Sequence, residues 1–223
     1  KAFAEGGRAL IYYASTQGDI LTRSKDPEAR ATANEVLSLL TPIIKAFLTE
    51  TGFESANLGM QCLGGHGSIS EWGVEQNVRD ARIAMLYEGT TGIQALDLLG
   101  RKVLGTRGKA LDPVTSFILE FCKHARRRKE IKPFVKKLVR LTRQWRSLTR
   151  KIGFAAMKNR DAVGAASVDY IMFSGYLLLG VAWAASAQAA YRRLEQGTKE
   201  EAFYRSKIQT AEFYFAKILP RTT

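Results

Sequence analysis

Apolar residues recur every three or four positions through nearly the whole chain, and the strict alternation expected of a half-buried strand is almost absent. The spacing predicts an all-α protein. A first helix is expected over 1–21, with Phe3, Leu10, Ile11 and Ala14 on one side. Asp26-Pro27 reads as an N-cap followed by proline at the first helical position, and Thr41-Pro42 repeats the pair. Helices over about 27–40 and 42–63 follow from that reading. The second should stop at Gly64-Gly65, because glycine accepts the left-handed conformation that closes a helix. A loop with Gly67, Ser68, Ser70 and Gly73 precedes a short helix of about 74–83, and a longer one should run from just after Glu88 to about 104. Gly105, Gly108 and Asp112-Pro113 then interrupt the period. Beyond them, helices are expected near 113–128, 131–157, 161–196 and 198–219. The interruption divides the chain into two expected domains, 1–111 and 112–223, each an antiparallel helix bundle.

Charge sharpens that division. Residues 1–111 carry twelve Lys or Arg and twelve Asp or Glu, so the whole formal excess of +13 belongs to 112–223. Most of it falls between Lys123 and Lys151, which hold thirteen basic residues and a single acid, Glu130. Within that stretch Ile131, Phe134, Val135, Leu138, Leu141, Trp145, Leu148 and Ile152 keep the helical period, and the basic residues fill the gaps. The result is an amphipathic, basic helix. Its charged face suits a solvated surface or an acidic surface elsewhere in a longer protein. Nucleic acid and an anionic membrane are the other partners that such a face fits.

The 22 residues between Asp169 and Arg192 carry no formal charge and reach bilayer length. Ser174, Ser186, Gln188 and eight Ala or Gly positions make the run weakly apolar, while small residues let helices pack closely. A buried bundle helix, not a membrane span, is the expectation. At 223 residues the chain can bury a sizeable core. Cys62 and Cys122 are its only cysteines, and His66 and His124 its only histidines, so neither a disulfide framework nor a metal site is indicated. A reducing cytoplasm is the expected compartment. Lys1 to Glu5 enter helical periodicity at once, with no initiating Met and no signal-peptide core, as in a piece of a longer protein.

Candidate chemistry is concentrated between Gln61 and Arg101. Gly64, Gly65 and Gly67 allow a backbone to approach a ligand closely, and Glu88, followed by Gly89 and Thr90, is a carboxylate held in a tight turn at a helix start. On its own such a glutamate is also what the positive end of a helix favours. Gly64-Gly65 alone is a helix stop. Arg79 and Asp80 are expected in structural ion pairs or as a cap on a neighbouring helix, and His66 as a loop residue.

In order, the segment reads Gln61-x-x-Gly64-Gly65-x-Gly67, then Arg79-Asp80-Ala81-Arg82-Ile83, then Tyr87-Glu88-Gly89-Thr90 with Ile93-Gln94. That succession resembles the C-terminal helical domain of the flavin-dependent acyl-CoA dehydrogenases. The resemblance implies that Glu88 takes the proton next to the thioester carbonyl of an acyl-CoA, while hydride leaves the next carbon for flavin N5, giving a trans-2-enoyl-CoA in fatty acid β-oxidation. It implies that the thioester carbonyl is held by the backbone N–H of the base residue and a flavin ribityl hydroxyl, and that Tyr87 and Gly89 flank the substrate. By the same resemblance Gln61, Gly64 and Gly65 touch the ADP part of an FAD bound to a neighbouring subunit, and Thr90 that of its own. A cofactor shared between subunits implies a homodimer or homotetramer, and reoxidation implies an electron-transfer partner protein. One departure stands out: Gly92 replaces a glutamine of many members and removes a side-chain contact to the cofactor. Residues 113–223 resemble the additional helical domain of one branch. A second reading is a DNA- or anion-binding helical module of the same superfamily that uses the basic helix of 123–151.

Overall fold

A computed structural model of the chain describes residues 1–222, and these are helical almost throughout, with no strand. The helices are α1 (Ala2–Arg23), α2 (Pro27–Cys62), α3 (Val74–Ala84), α4 (Thr91–Leu96), α5 (Asp112–Ala125), α6 (Lys132–Lys158), α7 (Asp161–Glu195) and α8 (Glu201–Phe213). Two of them run on into wider turns. Asp97–Leu104 continues α4 and Tyr214–Ile218 continues α8 as π-helix, before a last 3₁₀ turn at Leu219–Thr222. Local chemistry explains the ends. The Asp26 carboxylate accepts the Glu28 N–H at 2.9 Å and starts α2 ahead of Pro27. Gly64, at φ 57, stops it. Only two residues, Asn159 and Arg160, separate α6 from α7, so the pair must fold back as an antiparallel hairpin.

One expected boundary does not exist. Pro42 lies inside α2, which runs unbroken across it for 36 residues. A proline there lacks the N–H that would bond the Ser38 carbonyl four residues back. Lys102, on the π-helical continuation of α4, supplies a donor to that same carbonyl at 2.5 Å, and Pro42 itself is buried. The orphaned acceptor is satisfied from another element, so the helix survives. Smaller differences follow the same logic of packing over pattern. Ile11 is exposed, and α1 instead buries Ala2, Gly6, Gly7 and Leu10. Asp112 opens α5, as expected of a helix start there, and its carboxylate accepts Arg146 Nη2 at 2.5 Å. The last helix starts at Glu201, later than 198.

Helix α7 is the axis of the molecule. It packs on α1, α2, α4, α6 and α8. Glycines set the distances: a Cβ on Gly175 would stand 2.2 Å from the Phe47 ring, and one on Gly6 would stand 2.6 Å from Trp183 Nε1. That indole N–H donates to the Ala2 carbonyl at 3.0 Å, closing α1 onto α7. By length and composition α2 and α7 could each cross a membrane, but 78% of the apolar stretch of α7 is buried within the fold. Core residues run continuously from α1 and α2 through Val103 and Leu111 to α5, α6 and α8. The chain turns at Gly105 and Gly108 without forming a through-helix. Of the apolar face expected on α6, Ile131, Phe134, Val135, Leu138, Leu141 and Trp145 are buried, with Leu148 and Ile152 packed at its margin.

Candidate functional site

The Tyr87–Thr90 turn is held from three directions. Glu88 adopts φ 53 and Gly89 φ 91, two successive residues in the left-handed region, which is sterically costly for the glutamate. What keeps it there is a set of bonds to the two carbonyls of the turn. Gln94 Nε2, one and a half helical turns on, donates to the Glu88 carbonyl at 3.1 Å. Lys45 Nζ, from the middle of α2, donates to the Gly89 carbonyl at 2.6 Å and lies 6.0 Å from the Tyr87 ring centroid. Thr91 Oγ1 donates to Glu50 Oε1 at 2.5 Å, a second tie to α2. A Cβ on residue 89 would stand 2.8 Å from Gln94 Nε2, so glycine is required there for room as well as for φ. The Thr90 side chain accepts the Ile93 N–H at 3.5 Å and caps α4, which is the local reason that the helix begins where it does.

With the backbone fixed, the side chain of Glu88 is left free. It is exposed, and its carboxylate has no hydrogen bond or ion pair among the described residues. The Glu88 N–H likewise has no backbone partner among them. A carboxylate and an N–H donor on one residue, both uncommitted, can serve as a base and as a donor to a carbonyl oxygen. Tyr87 beside them is 54% exposed, and Leu86, Ile93 and Leu96 are also open to solvent. That much apolar surface around one turn suits burial against a further layer of protein or a ligand.

The glycine turn lies elsewhere. Gln61 is in the last turn of α2, sixteen residues beyond Lys45, so the two sites are about 24 Å apart along the helix. The structure does not bring Gln61, Gly64 and Gly65 together with Glu88 and Thr90. Gly64–Ser68 forms a 3₁₀ turn whose first N–H groups have no partner within it. Beyond the adjoining backbone, no heavy atom lies within 4 Å of where a Cβ on Gly64 or Gly65 would stand, and the Gln61 side chain is exposed without a partner among the described residues. Gly67 has a different role: a Cβ there would stand 2.3 Å from the Met60 carbonyl, so it packs the turn against α2. His66 meets Trp72 edge to face at 5.9 Å. Neither the ion pairs nor the helix cap expected of Arg79 and Asp80 is found among the described residues. Asp80 accepts from Gln76 Nε2 at 2.7 Å, and Arg79 is exposed without an ion pair among the described residues. Helix α3 buries no residue, and both side chains face open surface.

Lys45, Glu50 and the role of Gln94 escaped the sequence reading. Gln94 stands in the motif, six residues from Glu88, and its amide was the available signal. Lys45 and Glu50 lie 44 and 41 positions from their partners Gly89 and Thr91, on α2, and nothing local marks them.

Comparison with known proteins comes to the same segment. Residues 5–104 match the family model described as acyl-CoA dehydrogenase, C-terminal domain, and residues 114–223 match acetyl-CoA dehydrogenase C-terminal like. The 3-methylmercaptopropionyl-CoA dehydrogenase of Ruegeria pomeroyi is 36% identical over 98% of the chain and 37% of its own length. The broad-specificity linear acyl-CoA dehydrogenase FadE5 of Mycobacterium tuberculosis is 32% identical over the whole chain and 38% of its own length. The chain therefore spans little more than a third of these relatives. Among solved structures, ACDH-11 of Caenorhabditis elegans in complex with C11-CoA superposes with a TM-score of 0.76 at 19% identity, covering 95% of the chain and 33% of that protein, a likeness of fold.

Proposed function

The chain belongs to the acyl-CoA dehydrogenase family, and on that premise we propose that Glu88 is the base of a flavin-dependent enzyme that converts an acyl-CoA to a trans-2-enoyl-CoA. The observation that carries this reading is the turn itself. Two carbonyls are tied down by Lys45 and Gln94 so that a residue in a costly conformation presents a free carboxylate and a free N–H side by side. The N–H donates to the thioester oxygen, where negative charge develops as the α-proton leaves. The carboxylate receives that proton. A bound flavin would supply the hydride acceptor for the β-carbon, so that two C–H bonds would break and one carbon–carbon double bond would form.

The glycine turn fits an ADP moiety. Unsatisfied N–H groups at the start of a helical turn are donors for phosphate oxygens, and open space over Gly64 and Gly65 lets a ligand reach them. Gln61 beside them adds an amide. These residues would hold the FAD of a neighbouring subunit, and Thr90 that of its own, which makes a homodimer or homotetramer the working assembly. The names of the relatives support an acyl-CoA substrate. An electron-transfer protein is the proposed oxidant of the reduced flavin. The two unpaired thiols, Cys62 and Cys122, suit a reducing cytoplasm.

The test is Glu88→Gln in the complete flavinylated enzyme, mixed anaerobically with a good acyl-CoA while bleaching of the oxidised flavin is followed. Loss of a positioned base should slow bleaching by roughly 10²–10⁴ with FAD content unchanged. Bleaching at the wild-type rate would place the base elsewhere.

A second reading concerns the basic surface. Arg126, Arg127, Lys132, Lys136, Arg140 and Lys151 are exposed, and no carboxylate among the described residues pairs with them. Duplex DNA fits such a face electrostatically. Titration with duplex at several salt concentrations should give a steep negative slope of log affinity if that reading is right, and a shallow one otherwise.

A further inference from the structure

A cleft of about 1110 Å³ opens between the turn that joins the two halves and the C-terminal half of α6. Arg107, Lys109, Arg143, Arg146 and Arg150 line it, against one carboxylate, Asp112. That carboxylate is already engaged by Arg146, whose Nε also donates to Thr115 Oγ1 at 3.0 Å. No carboxylate among the described residues pairs with the other four cations. Like charges gathered on one wall repel each other, and a bound anion would remove that cost.

The wall has two chemically different ends. Arg143, Arg146 and Arg150 stand at i, i+3 and i+7 of α6 and therefore share a stripe. The stripe continues through Phe154 and Met157, which also line the cleft and are 65% and 75% exposed. From Arg143 to Met157 it runs about 21 Å, guanidinium groups at one end and apolar side chains at the other. A nucleic acid backbone would leave the apolar end unused. A free inorganic anion would leave it uncovered. Guanidinium groups bind phosphate through paired N–H donors, and four uncommitted cations exceed what a single carboxylate would neutralise.

We propose that this cleft seats a phosphorylated amphiphile, its phosphate among Arg107, Arg143 and Arg150 and its aliphatic chain along Phe154 and Met157. The site lies at the opposite end of the Thr91–Leu104 helical segment from Glu88 and does not depend on the role given to that residue.

Calorimetric titration of the chain with dodecyl phosphate, kept below its micelle concentration, tests this. The expected result is one molecule per chain, bound at least tenfold more tightly than either dodecanol or inorganic phosphate. Arg143→Gln with Arg150→Gln should weaken it tenfold or more, and Phe154→Ser with Met157→Ser should do the same, whereas Arg126→Gln with Arg127→Gln, an equal charge change outside the cleft, should leave it intact. All six positions are exposed, and circular dichroism melts would verify that each variant folds. Equal weakening by the control pair would mean that bulk positive charge is responsible and would overturn the proposal. So would binding to phosphatidylglycerol vesicles without binding of monomeric dodecyl phosphate, since that would make the surface a membrane contact. Absence of dodecyl phosphate binding would overturn it outright.

Discussion

Lys45 approaches the candidate base only through the backbone. Its ammonium holds the Gly89 carbonyl at 2.6 Å, and a hydrogen bond from a charged donor is worth about 1.5–3 kcal/mol. Lys45→Met removes the donor and keeps most of the side-chain volume. If that bond holds Glu88 in its left-handed conformation, kcat for flavin reduction should fall roughly 10- to 100-fold while KM for the acyl-CoA changes little. Lys45→Arg should recover part of the loss. A rise in KM alone would mean that Lys45 touches substrate and does not position the base. Cysteine reactivity gives a second residue-scale check. Burial pushes the Cys122 thiol up to about 11, so at pH 8 it is both enclosed and almost wholly protonated, whereas Cys62 is exposed. One thiol should titrate with a disulfide reagent in the folded chain and two after unfolding. Cys62→Ser should reduce the folded count to none.

At the scale of the element, the continuity of α2 across Pro42 depends on α4 and its π-helical continuation. Lys102 donates to the Ser38 carbonyl and lies 3.3 Å from Asp97 Oδ2, while Arg101 bonds the other carboxylate oxygen. The bond from Arg101, with Lys102 adding its charge, holds the Asp97 carboxyl below the usual carboxylate range, although burial opposes this. A folded pKa below the unfolded one gives stability that is fully present above about pH 4–5 and is lost as pH falls through the folded value. Thermal unfolding should therefore steepen its acid dependence at Asp97, and Asp97→Asn should be less stable than wild type at pH 7 but approach it near pH 2. A constant difference between the two across that range would mean that Asp97 acts through packing and not through its charge.

Across the whole molecule, the two halves that differ so sharply in charge share one core. Glu5 and Lys207 meet at 2.8 Å, and Arg221 grips Glu54 with both terminal nitrogens at 2.9 and 2.8 Å. Together with Phe47 against Gly175 and Trp183 against Gly6, these contacts clasp the last helices onto the first two. We propose that 1–111 and 112–223 are units of the chain but one body in the fold. Arg107 is exposed in the connecting turn and open to trypsin. A single nick there should leave the two pieces co-eluting on gel filtration, with most of the helical circular dichroism retained. Separation of the pieces under native conditions would show the interface to be loose.

Helix existence, the Asp26 cap, the Gly64 stop and the turn at Gly105–Gly108 were written locally, because a 3.6-residue period, a capping carboxylate and a glycine φ act within one or two turns of chain. The motif around Glu88 was equally legible, since its residues lie within a few positions of one another. Only the tertiary structure decided that Pro42 does not end α2, that Lys45 and Glu50 hold the turn, and that the arginines of α6 share a cleft with Arg107. In each case the deciding contact joins residues tens of positions apart. A hydrogen bond across such a separation leaves no period or spacing in the sequence. It exists because packing of the apolar faces has already brought the two helices together.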